Sequence, residues 1–469
     1  MYLIRCILIL IILWPLFQAQ MSYAWRIEAG QVTTLDTATT PSFTNVTFQN
    51  AFDVIPIVVV LPSNEGTDPA MLRIRNVSLT GFDVTTAEPR DRDGTHPGMT
   101  IHYMAIEPGV HSFPNGTQIA ANRHTTSSWQ SKLVGPTGWD TVSFGTTFST
   151  TASVVATIQS LNSETGALPT TPTTPTTPLL SVTTRNPGTA SIQMALERSE
   201  DTQGTVIAED IGWVAFPRGS GNFDDILDNS IGWDARTSAD NVTGNCRVTT
   251  FTTVSWPNAR IFATKNRRDG VDGGWTRRCS LTATTVGLRI QEDTLNDTET
   301  NHTNEAISLL SFSDSFHAEF SGRIEANKEV ALASGTYALP GNSVRYTISA
   351  QSTGNLPIDL NEITLVDRIP PDLALKVMDI GTAGSGPVNF IQGTPASTLT
   401  YTFTNLANLS DDVDFSNDGG LSFTYTPTAN GMGADPTVTN IRITPKGTFL
   451  AASPSGPPSF SVEFDAVIK

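Results

Sequence analysis

One pattern of about 100 residues is written three times along this chain. Its clearest line is an apolar ending: Thr100-Ile-His-Tyr-Met-Ala-Ile106, then Asp210-Ile-Gly-Trp-Val-Ala-Phe216, then Ala306-Ile-Ser-Leu-Leu-Ser-Phe312. The same elements precede each ending in the same order. An aromatic pair opens the unit (Phe48 and Phe52, Phe144 and Phe148, Phe251 and Trp256). A β-branched run follows (Ile57 to Val60, Val154 to Ile158, Ile261 to Thr264), and then an alternating stretch and an acidic loop. A unit of this length is a complete small domain, since solenoid rungs repeat at roughly 20 to 50 residues. Three similar modules in a row point to binding or building rather than to one catalytic centre.

The first 24 residues carry a single Arg5, an apolar run from Ile7 to Phe17, and the small residues Ser22 and Ala24. That run is shorter than the roughly 20 residues a bilayer span needs, so it reads as a secretory signal peptide over residues 1–24. No later apolar run is long enough to span a membrane, so the exported chain is expected to carry no transmembrane segment. Charged residues make up 16% of the chain, Thr, Ser, Gly and Val are abundant, and no long stretch shows apolar residues at helical spacing. This is an all-β composition. A formal net charge of -17 argues against nucleic acid as a partner, because phosphate backbones are held by clustered Lys and Arg. Cys6 leaves with the signal, and in an oxidising compartment the remaining Cys246 and Cys279 read as a disulfide inside the third repeat.

The endings place the repeats at residues 25–113, 114–221 and 222–320. No Trp follows Trp275, and residues 321–469 form a separate domain with the Leu339-Pro-Gly-Asn-Ser-Val-Arg-Tyr-Thr-Ile348 pattern of a turn leading into a half-buried strand. Pro169-Thr-Thr-Pro-Thr-Thr-Pro-Thr-Thr-Pro178 has the composition of a stiff extended linker. The repeat alignment puts it inside the second unit as a surface loop. The expected fold is a tandem of antiparallel β-sandwiches, three related modules plus a different C-terminal one.

The three repeats resemble the H-type lectin domain, a small β-sandwich whose known members bind galactose or N-acetylgalactosamine as trimers. The residues that carry the resemblance are Val46-Thr-Phe-Gln-Asn-Ala-Phe52, Pro56-Ile-Val-Val-Val-Leu61, Leu72-Arg-Ile-Arg75 and Leu79-Thr-Gly-Phe-Asp-Val84. In that family an Arg at the start of the third strand and an aromatic near the next loop hold the sugar. Arg73 matches the Arg in the first repeat, and Arg277 or Arg278 is its counterpart in the third. The second repeat has Leu180 or Ser181 there, and the loop after Val84 lacks an aromatic. The trimeric relatives imply that three copies in one chain can pack as an intramolecular pseudo-trimer.

The acidic loops supply further candidate ligand-binding residues: Glu88, Asp91 and His96 in the first repeat, and Glu292, Asp293, His302 and Glu305 in the third, converging beside Arg289. Such carboxylates either bind sugar hydroxyls, ligate calcium through oxygen, or form a solvated loop. The last domain resembles the immunoglobulin-like repeat of bacterial cell-surface proteins, on Lys328, the Pro340-Gly341 turn, Tyr346-Thr-Ile348, Gly354-Asn355 and Val366-Asp-Arg-Ile-Pro-Pro371. That likeness implies a stalk or spacer. Its Asp411, Asp412, Asp414 and Asp418 resemble a calcium loop without EF-hand spacing; a capped acidic turn is the competing reading.

The chain has no Gly-x-Ser-x-Gly elbow, His-Glu-x-x-His pair or phosphate loop. The expectation is an exported, non-catalytic protein of the cell surface, extracellular space or periplasm that binds a glycan or a cell-surface protein. The alternative is a purely structural envelope, pilus-associated or matrix component with no sugar site.

Overall fold

The structure is a computed structural model that describes residues 24–36, 42–92, 95–164, 177–200 and 204–469. Residues 1–23 of the expected signal peptide and most of the Thr-Pro segment lie outside the described residues. Among the described residues every sheet is built from antiparallel ladders apart from one short parallel pairing, the only helical element is a 3-10 turn at Asn162–Glu164, and no helix is long and apolar enough to cross a membrane. Two compact units separate at Glu319 and Phe320.

The first unit holds the three repeats. Module 1 consists of β1 (Trp25–Thr33), β2 (Thr44–Thr47), β3 (Ile57–Pro62), β4 (Met71–Arg75), β5 (Gly81–Ala87) and β6 (Thr100–Ile106), followed by a tail strand β7 (Gly109–Ser112). Module 2 repeats this as β8 (Gln118–Thr126), the short β9 (Trp129–Gln130), β10 (Asp140–Ser143), β11 (Ala152–Ile158), β12 (Leu180–Arg185), β13 (Ser191–Arg198) and β14 (Glu209–Pro217), with tail β15 (Gly219–Asp224). Module 3 is β16 (Ser230–Thr237), β17 (Arg247–Thr250), β18 (Arg260–Lys265), β19 (Trp275–Leu281), β20 (Thr285–Gln291) and β21 (Ile307–Phe312), with tail β22 (Phe316–Phe320).

Each module has an outer sheet, ordered β2-β5-β4, β10-β13-β12 and β17-β20-β19, with β9 added beside β13 as a fourth strand in module 2, facing an inner sheet across its own core. The inner sheets are ordered β22-β1-β6-β3, β7-β8-β14-β11 and β15-β16-β21-β18. The tail strands therefore do not complete the module they follow. The tail of module 1 joins module 2, that of module 2 joins module 3, and that of module 3 returns to module 1. The boundary drawn at Phe113 follows β7, the one at Gly221 cuts through β15 and the one at Phe320 ends β22; β7 and β15 pair forward because the chain reverses through a hairpin into the next first strand, whereas β22 pairs back with β1. Tail aromatics bury this junction: Phe113 stacks on Phe223 at 4.9 Å, and Phe316 lies 4.9 Å from Phe312 and 5.0 Å from Phe223.

This closure explains why the β-branched runs are continuous rather than alternating. β3 is buried at all six positions, and each of β3, β11 and β18 touches the other two. A strand covered on both faces has no place for the polar half of an alternating pattern. Cross-module hydrogen bonds follow the repeat: Val60 N–H donates to Thr157 Oγ1 at 3.1 Å, and Ala156 N–H to Thr264 Oγ1 at 2.9 Å. Leu61 has no hydroxyl to continue the series. Modules 3 and 1 are joined instead by Ile261 N–H donating to His102 Nδ1 at 2.9 Å. Burial, then the nearby Arg278 and Arg260, push the His102 imidazole down to about 3, so it is neutral and Nδ1 is free to accept.

The second unit has a six-stranded sheet and a three-stranded one. The larger contains β23 (Ile324–Leu332), β24 (Ser343–Ser352), β26 (Leu373–Lys376), β27 (Asn389–Gln392), β29 (Ala434–Asp435) and β31 (Ser459–Ile468); the smaller contains β25 (Leu365–Arg368), β28 (Val413–Ser416) and β30 (Asn440–Ile443). Tyr346, Leu365, Phe415, Ile441 and Phe464 belong to one core shared by both sheets. Lys328 lies 4.4 Å over the Tyr346 ring and bonds both oxygens of Asp367, at 2.6 and 2.7 Å.

Candidate functional site

Strand register assigns the equivalent positions. Arg73 lies opposite Thr85, Arg277 opposite Arg289, and Thr183 opposite Ala195. The counterpart of Arg73 is thus Arg277 in module 3 and Thr183 in module 2, rather than Arg278, Leu180 or Ser181. In module 3 a bulge between Arg278 and Ser280 adds a residue that the sequence alignment does not reveal; the β12–β13 ladder of module 2 is continuous.

Arg73 and Arg277 are fully buried and each joins two modules. Arg73 Nε donates to Glu164 Oε2 at 3.0 Å and Nη1 to Leu180 O at 3.3 Å, both in module 2. Arg277 donates to Ser63 O at 3.0 Å and Glu65 O at 2.8 Å in module 1, and to Gln291 Oε1 at 2.6 Å in its own module. Burial, then Arg289, push the Arg277 guanidinium down to about 10. The third seam is held by Glu197 of β13, which pairs with Lys265 and accepts from Arg268 Nε at 2.9 Å. Lys265 and Arg268 carry no sequence signal of this role, since only the closure of the modules brings them to Glu197.

Where β3, β11 and β18 meet there is a cavity of about 80 Å³ lined by Val60, Ala156 and Ala263, with Arg73 and Thr157 at its wall. Small-molecule sites usually occupy roughly 300–1,000 Å³. This space suits a few waters, and the buried Arg73 Nη2, which has no hydrogen-bond partner among the described residues, offers them a donor.

The structure brings Glu292, His302 and Glu305 together. His302 is buried, its Nδ1 bonded to Glu292 and its Nε2 3.1 Å from Glu305 Oε1; Glu305 also accepts from Gly270 N–H at 3.0 Å. Burial lowers the His302 pKa, but the two carboxylates outweigh it and the net shift is upward. Asp293 is turned toward module 2, accepting from Glu200 N–H at 3.1 Å, and Arg289 sits opposite Arg277. In module 1, Glu88 and His96 are buried, with His96 Nδ1 2.7 Å from Pro97 O, while Asp91 accepts from Thr294 Oγ1 at 3.1 Å. The loops therefore engage one another.

Cys246 and Cys279 form the disulfide, across β20. In the second unit the acidic run has separate partners: Asp411 accepts from Thr404 N–H, Asp412 from Thr402 N–H and Asp414 from Arg442, while Asp418 caps Leu421 and Ser422. The bonds from Ser416, Ser422 and Leu421 hold the Asp418 carboxyl well below its usual range. Among the described residues no group of three or more His, Cys, Asp or Glu is placed to hold a metal ion. Compared with known protein families, curated proteins and solved structures, the chain matches none.

Proposed function

We propose that this chain is an exported, non-catalytic recognition protein of the cell surface or extracellular space, in which a fused, pseudo-trimeric head of three lectin-like modules binds glycans and the immunoglobulin-like unit acts as a spacer. The observation that carries this reading is the forward exchange of tail strands, with β22 closing onto β1. It fixes three related outer sheets in one rigid array, and an array of weak sites gains avidity when its geometry permits simultaneous contact. Burial of Arg73 and Arg277 moves the sugar contacts away from those residues and toward the exposed faces.

That same burial favours a second reading, in which the modules are purely structural. Retention of the intact protein on a broad glycan panel, in calcium and in chelator, separates the two. Specific retention in either buffer supports recognition, and calcium dependence assigns the acidic loops a metal role. Absence of retention in both overturns the proposal in favour of the structural component.

A further inference from the structure

The three modules carry one surface position in three different chemistries. In module 1, Arg75 lies 3.4 Å over the Phe43 ring and its Nε is 3.5 Å from Asp83 Oδ2. Asp83 also accepts from Asn45 and Asn76, at 3.1 and 2.9 Å. In module 2 the same register positions are Arg185, Trp139, Gln193 and Asn186, with the guanidinium 4.3 Å over the indole. In module 3 Ser280 pairs with Gly287 at that register, and Cys279, in the bulge just before it, is bonded to Cys246 at the ring position, so a disulfide stands where the other modules have the arginine and the ring. A Cβ on Gly287 would lie 2.7 and 3.0 Å from the two sulfurs, so no side chain fits there.

Only the module 2 version leaves a cation without an internal counter-charge. Arg185 Nε donates to Gln193 Oε1 at 2.9 Å, and Asn186 Nδ2 donates to the same oxygen at 2.9 Å. Gln193 is neutral where module 1 has Asp83. Among the described residues Arg185 makes no ion pair, and its two terminal nitrogens make no hydrogen bond. It is half-buried, fixed by ring and Nε, with Asn186 exposed beside it at φ 51°. A guanidinium held flat by a ring and one bond presents its remaining N–H groups as a fork matching a carboxylate. Among the described residues Asn186 Oδ1 and Gln193 Nε2 make no hydrogen bond, giving an acceptor and a donor for hydroxyls beside the fork.

We infer that the outer sheet of module 2 binds a carboxylate-bearing saccharide, with Arg185 holding the carboxylate and Asn186 and Gln193 the adjoining hydroxyls. This rests on the recognition reading and names its ligand class. Module 1 has the same frame already neutralised by Asp83.

The test is retention of the intact protein on immobilised polygalacturonate, on its methyl ester, and on polyglutamate. The expected result is retention on polygalacturonate, weakened at least about tenfold by esterification and by Arg185→Gln, as for loss of a charge-assisted bond. Gln193→Glu keeps the arginine but supplies the internal carboxylate of module 1, and it should weaken retention as strongly with an unchanged melting temperature. No retention on polygalacturonate, equal retention on the ester, or indifference to both substitutions overturns the inference. Equal retention on polyglutamate overturns the saccharide assignment in favour of an acidic peptide. Failure of the recognition reading is distinct: there the broad panel retains nothing, neutral or acidic.

Discussion

Arg73→Met tests whether this arginine is a strut or a ligand residue. The side chain bridges modules 1 and 2, and Glu164 at the other end is also fully buried. Burial raises the Glu164 pKa; Arg73 opposes the shift and Glu209 adds to it, so the carboxylate depends on its one cationic neighbour. Removing one partner of a buried pair typically costs about 3–5 kcal/mol, whereas replacing both with apolar groups of similar volume is often close to neutral. For a unit of this size that is a fall in Tm of about 6–10 °C. Arg73→Met combined with Glu164→Met should recover most of the loss. The sign with pH follows from linkage. Without Arg73 the folded-state pKa of Glu164 rises further, so the folded state holds a proton the unfolded state has released, and stability falls as pH rises. The single variant should therefore approach the parent protein at acidic pH. Differential scanning calorimetry of the cycle at two pH values is the assay. A single variant with unchanged Tm and lost glycan retention would refute the strut argument and restore Arg73 as a ligand residue.

Reducing the Cys246–Cys279 bond, which spans 33 residues, should destabilise module 3 by about 3–4 kcal/mol, read as a lower denaturant midpoint for the reduced protein. Gly287→Gln installs the module 2 residue where both sulfurs would crowd its Cβ; it should leave two titratable thiols in the native protein. Burial, then Asp293 and Asp297, push Glu200 up to about 7 from 4.5, so its contribution to stability is lost as pH rises through that window. Glu200→Gln should flatten the fall in Tm between those values. His302 acts in the same direction at higher pH: its folded pKa is raised, so its contribution is present below about 6.5 and lost above. His302→Gln should remove the decline in Tm seen on the alkaline side of neutrality.

How much of this was legible depends on whether a signal is local. The β-branched runs and the endings sit on neighbouring strands of one module, the aromatic pairs lie in the segment leading into the first of them, and the pattern reports which faces are covered. Phe48 and Phe52 meet at 5.0 Å, and Phe144 and Phe148 at 5.4 Å. The gathering of Glu292, His302 and Glu305 was also readable, since all three lie on one loop region leading into β21. The destination of the tail strands was not. Nothing in Gly109 to Ser112 distinguishes pairing within a module from pairing with the next, and β22 returns to β1 across nearly the whole unit. The burial of Arg73 and Arg277 is hidden in the sequence for the same reason. A charged residue in a strand ordinarily points to solvent, and only the neighbouring module converts that position into an interior.

The three outer-sheet positions show what repetition within one chain permits. In a trimer of identical subunits one substitution appears three times, so a position serves either stability or binding in all copies. Here the copies are covalently fused and have diverged: Cys246 and Cys279 tie down one module, Arg75 with Asp83 forms a self-neutralised clasp in another, and Arg185 over Trp139 stays unpaired in the third. If these are alternative solutions to one structural need, exchanging them should be tolerated. Asp83→Gln makes module 1 resemble module 2, leaving Arg75 without its nearest carboxylate. Because that pair is partly exposed, its loss should cost no more than about 1 kcal/mol. A second open fork should then raise retention on polygalacturonate by more than additive binding, provided both outer faces reach the same surface. Unchanged retention with intact stability would mean that the Arg-aromatic frame is structural in both modules, and that the charge on Arg185 is incidental.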